Sequence, residues 1–121
     1  MITIRDGASD IIGLPEGAAS SVAHLHIAAI RRFQQGKGFP VTFQGYLMDE
    51  YDEPTGQLSA WFHPGMTLVI DYGTAGPVPV QETEVAEILK SMDSSELGVF
   101  ITTPRSDGAY PLLTTDFRDL R

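Results

Sequence analysis

Three runs decide the fold: Val41-Thr42-Phe43-Gln44-Gly45-Tyr46-Leu47, Leu58-Ser59-Ala60-Trp61-Phe62-His63 and Leu68-Val69-Ile70-Asp71-Tyr72. Each has a two-residue period, as expected of half-buried strands, whose successive Cβ atoms point to opposite sides of a sheet. The acidic, turn-rich segment Asp49-Glu50-Tyr51-Asp52-Glu53-Pro54-Thr55-Gly56 separates the first two runs, and Pro64-Gly65 marks a tight turn before the third. Three successive strands joined by turns predict an antiparallel meander.

Toward the N-terminus, Ile2 and Ile4 alternate with polar neighbours before Asp6-Gly7, and Ile11 and Ile12 precede Gly13. This reads as a short strand, a turn and a second short or irregular strand. From Leu14 the period lengthens. Pro15 suits a first helical turn, Glu16 complements a helix N-terminus, and Val22, Leu25, Ala29 and Phe33 recur at helical spacing, with Ile30 widening the stripe. Arg31 and Arg32 oppose the carbonyl dipole, and Gly36 and Gly38 stop the element, giving a helix over about 16–35. After a Gly/Pro-rich connector from Gly73 to Pro79, Val85, Ile88, Leu89 and Met92 mark a second helix over about 81–93. Ser94-Ser95-Glu96 then leads into Leu97-Gly98-Val99-Phe100-Ile101, a final strand, and the chain becomes irregular beyond Pro104.

The order is β(β)-α-β-β-β-α-β plus a C-terminal extension. Both helices are one-sided and need a sheet to cover their stripes, so the expected fold is an α+β two-layer sandwich. It has a mainly antiparallel sheet of about five strands with two helices on one face. Residues 1–104 form the single domain and 105–121 an extension or arm. With the helices on one face, that face takes Val41, Phe43, Leu58, Phe62, Leu68 and Ile70. The other then carries Thr42, Gln44, Tyr46, Ser59, Trp61, His63, Val69 and Asp71.

Composition narrows the chemistry. The 121 residues are 42% hydrophobic and 20% charged, which describes a globular domain. With no cysteine there can be no disulfide, thiolate nucleophile or cysteine-held metal. The net charge of -8 is the wrong sign for direct nucleic-acid binding or for an anionic membrane surface. Neither a signal peptide nor a membrane-length apolar run is visible, so a cytoplasmic location is expected.

Several of these pieces carry a resemblance: Ala23-His24-Leu25 with Arg31-Arg32 in the first helix, Phe39 just past its end, Trp61-Phe62-His63-Pro64 with Leu68 after it, and the second helix running into Leu97-Gly98 and Pro104. Residues 22–104 resemble a small uncharacterised actinobacterial family marked by Trp-x-His-Pro, whose members often go under the label ATP-dependent DNA ligase. The resemblance implies an actinobacterium or its phage as host, with which six arginines against two lysines are compatible. The residues argue against the ligase label. A nucleotidyl-transfer ligase needs a lysine nucleophile, usually in Lys-x-Asp-Gly, whereas Lys37 begins Lys-Gly-Phe-Pro and Lys90 begins Lys-Ser-Met-Asp. The acidic loop 49–53 and the tail beyond 105 have no counterpart in the family.

No catalytic or metal constellation stands out, and no cofactor is expected. His24 and His26 are two apart on a helix, so they project about 200° apart and cannot share a metal. Tyr51 breaks the alternation of oxygen ligands that a calcium loop over 49–53 would need. Gly73-Thr74-Ala75-Gly76 is too short for a phosphate loop and lacks its lysine. Glu82, Glu84 and Glu87 fall on an outward helix face.

The distinctive feature is an aromatic second sheet face. Tyr46, Trp61 and His63 there, with Tyr110 and Phe117 in the tail, form the candidate interaction surface. Either a partner or the chain's own hairpin or tail must cover it. The leading expectation is a non-enzymatic protein-binding or assembly protein that forms a homo-oligomer. An acidic decoy or inhibitor of a basic nucleic-acid-binding protein is the alternative. A third reading is a small-ligand enzyme with His63 as general base and Asp71 orienting it across neighbouring strands.

Overall fold

The structure, a computed structural model, describes residues 1–48, 50–51, 54–74, 76–93 and 98–101. The N-terminal runs form a hairpin of β1 (Ile2–Asp6) and β2 (Ser9–Leu14), with Ile2 opposite Leu14 and Ile4 opposite Ile12. All four are buried, so the hairpin offers one aliphatic face to the core. A single 3₁₀ turn, Glu16–Ala18, leads into α1 (Ala19–Gln34), and Lys37 N–H on the Arg32 carbonyl closes its far end. β3 (Phe39–Met48), β4 (Pro54–Phe62) and β5 (Leu68–Asp71) follow, then α2 (Glu82–Ser91) and β6 (Val99–Ile101).

The expected α+β class holds, with two helices and a mainly antiparallel strand set. The sheet divides differently. Among the described residues six strands form two three-stranded sheets, β2-β1-β5 and β4-β3-β6, in place of a single sheet of about five. The meander breaks after β4, because β5 pairs antiparallel with β1, setting Ile4 opposite Ile70. Two contacts guide the crossing. The Asp6 carboxylate accepts the Thr67 N–H at 2.9 Å, and Gly7 N–H donates to the Thr67 carbonyl at 2.7 Å. Together they tie the segment entering β5 to the β1–β2 turn.

In the second sheet β6 runs parallel to β3, with Val99 beside Val41 and Ile101 beside Phe43. Gly98 makes this approach possible. It has φ 70, and a Cβ there would lie 1.9 Å from the Pro40 carbonyl oxygen. Both sheets and both helices share one core, in which Phe39 packs between Phe33 and Phe62 at centroid separations of 6.0 and 5.7 Å.

Candidate functional site

β3 and β4 form the site's scaffold. On their helix side Phe39, Val41, Phe43 and Phe62 are buried, as the alternation predicts. On the other side two pairs link the strands: Thr42 Oγ1 with Ser59 Oγ at 2.9 Å, and Gln44 Nε2 donating to Gln57 Oε1 at 3.2 Å. Trp61 stands opposite Pro40 on this same side and is 61% exposed, beside Gly38, where a Cβ would come within 2.8 Å of the indole. Trp61 is therefore on the outward face, as expected.

Tyr46 is not with it. The register slips between Gln44 and Leu47, so that Gly45 and Tyr46 together oppose Gly56. This is a β-bulge, with positive φ at Gly45 and Gly56, and an extra residue reverses the facing of everything beyond it. Tyr46 consequently packs on the helix-side core, and Leu47 is left 52% exposed. Strict alternation had placed Tyr46 on the outward face.

His63 lies just beyond β4, where its Nδ1 accepts the Gly65 N–H at 3.1 Å. Asp71 Oδ1 accepts the Gly73 N–H at 2.9 Å. β4 and β5 belong to different sheets, so the neighbouring-strand premise for a His63–Asp71 pair does not hold. Tyr110 and Phe117 lie outside the described residues, as do the rest of the 105–121 extension, Asp49, Asp52, Glu53 and residues 94–97.

The second face is not open everywhere. Phe100 stands beside Thr42, and both are 1% exposed although neither belongs to the helix-side core. Openness is confined to the β4 side. There the backbone direction matters as much as the side chains. The Pro40 carbonyl points toward Gly98, away from β4, so Pro40 and Trp61 form a non-hydrogen-bonded pair. By alternation Trp61, Ser59 and Gln57 all turn their N–H and C=O groups to the outer edge. No backbone partner meets them among the described residues. Sequence reading placed Ser59 on this face but did not name Gln57 or read either as an edge residue, yet a signal was present: no charged side chain occurs from Pro54 to Ile70 in a chain of net charge -8.

The remaining polar groups knit the helices together. His24 is 3% exposed; its Nδ1 lies 2.6 Å from the Ser20 carbonyl oxygen and its Nε2 accepts the Gln81 N–H at 3.0 Å. Glu84 Oε2 is also 3.0 Å from Nε2. Arg31 grips Glu82 through its two terminal guanidinium nitrogens, and Arg32 does the same to Asp93. The hydrogen bonds from these arginines hold both carboxyls below their ordinary range. Glu82 and Glu84 are thus engaged with α1, Glu82 while remaining 72% exposed. Among the described residues no three His, Asp or Glu side chains converge as metal ligands, and no helix is long and apolar enough to cross a membrane.

No family model, curated protein or solved structure matches the chain.

Proposed function

We propose that this chain is a non-enzymatic, intracellular protein-binding or assembly protein that associates with further copies of itself through the β4 side of its second sheet. Trp61 is the observation that carries the reading. The sole tryptophan stands exposed beside an uncharged strand edge without a backbone partner among the described residues. A large aromatic with little rotamer entropy to lose, surrounded by uncharged surface, is the composition that concentrates binding energy at interface centres.

The test is light scattering over a wide concentration range, with Trp61 emission followed on the same samples. Association raises the mass from one chain toward two and shifts the emission to the blue. Added salt strengthens it, because two acidic copies repel at long range. Contact with a basic partner would respond to salt in the opposite sense. A single-chain mass at every concentration, with Trp61 equally open to a quencher throughout, overturns the reading.

A further inference from the structure

Among the described residues four strands border the two sheets, and unpaired edges invite other chains unless charge, a bulge or shortness blunts them. β2 carries Asp10, paired to Arg5 at 2.8 Å, and an irregular register. β5 has four residues and ends in Asp71, and β6 has three among the described residues. β4 has nine residues and no charge, and beyond Gly56 nothing interrupts it.

We propose that two copies of the chain pair antiparallel along this edge, about a two-fold axis at Ser59, joining their second sheets into one. The proposal rests on the self-association reading and adds its contact and register. Gly56, at φ 92, ends the extended run on one side, and the turn closed by Met66 N–H on the His63 carbonyl ends it on the other. Gln57, Ser59 and Trp61 are the outward-turned residues between these limits, and Ser59 is their midpoint. Centring there sets Ser59 against Ser59 of the second copy and Gln57 against its Trp61. About six backbone hydrogen bonds form, since each outward residue supplies one donor and one acceptor. On the helix side Leu58 meets Ala60 of the second copy. Both are half-buried at the rim of the core, and pairing completes their cover. The absence of charge along the edge lets two acidic chains meet without pressing like charges together.

Ser59→Lys and Ser59→Glu, measured singly and as an equal mixture, test the register, with circular dichroism confirming that each is folded. Like charges opposed across the axis weaken each single variant by about fivefold or more, whereas the mixture returns to wild-type affinity or better. Ser59→Cys is the only thiol in the chain and oxidises to a covalent dimer. In a hydrogen-bonded pair the Cα atoms lie about 5.5 Å apart, within disulfide reach. A wild type that stays monomeric overturns self-association and this proposal together. A wild-type dimer that ignores both charges, or that the mixture does not restore, overturns the Ser59 register alone. If a charged variant fails to fold, the cross-link decides: its formation supports the register, and its absence in a dimeric protein overturns it.

Discussion

Replacing His24 by leucine should destabilise the chain by about 1–2 kcal/mol, the cost of leaving a partly buried donor short of its acceptor. The ring joins α1 to the start of α2: Nδ1 lies on the Ser20 carbonyl, and Nε2 takes the Gln81 N–H at 3.0 Å. Gln81 is the N-cap of α2, and its own side chain makes no capping bond. Leucine keeps most of the volume and removes the acceptor. The cost stays at the low end of the usual range because Glu84, at the third helical position, can reach back to the same N–H. His24→Ala removes the packing as well. At 3% exposure it adds a cavity worth about 2 kcal/mol, for a total near 3–4 kcal/mol. Urea unfolding measures both: the midpoint falls in the order wild type, leucine, alanine, at an unchanged slope. Adding Glu84→Gln to His24→Leu lowers it further, by removing the stronger fallback acceptor. Equal midpoints for wild type and His24→Leu would refute the bridge and leave the ring a packing role only.

Acid should destabilise the protein in two stages. Burial lowers the His26 imidazole from its ordinary 6.5, so the folded state disfavours the protonated ring, and stability present above that value is lost as pH falls through the folded one. Glu82 and Asp93, lowered from 4.5 and 3.8 by their arginines, lose their contribution only at more acid pH. Thermal unfolding between neutral pH and pH 3 should therefore show a shallow decline and then a steeper one, and His26→Gln should erase the first. Gly98→Ala should cost about 2 kcal/mol or more in urea unfolding, since it forces a side chain into left-handed backbone and against the Pro40 carbonyl. Trp61→Ala should change the stability of the single chain by about 0.5–1 kcal/mol at most while weakening association, a separation that light scattering and urea unfolding read independently.

Both helices and the longer strands of the described residues can be placed from periodicity, and β2 and β6 from short apolar runs. Val22, Leu25 and Ala29 are buried along α1 and Val85, Ile88 and Met92 along α2, as their spacing requires. The outward facing of Trp61 was legible for the same reason. Tyr46 was misplaced because a bulge is a two-strand event: Gly45 and Gly56 are visible as glycines, but only their pairing shows that one side has a residue too many. Ser59 was legible on the outward face, but that it and Gln57 line an edge was not, because it takes strand order to show which strand is an edge.

Amino-acid order alone determined the α+β class, the inward and outward side chains of each uninterrupted strand, and the uncharged run through Trp61. These are local properties, set by the direction of successive Cβ atoms and by side-chain chemistry. Tertiary structure alone decided that β5 leaves β4 for β1, that β6 enters beside β3, and that β4 has no strand partner on its outer side among the described residues. Strand partnership depends on hydrogen bonds between residues far apart in the chain, such as Asp6 with Thr67, and no periodicity within a single strand encodes them.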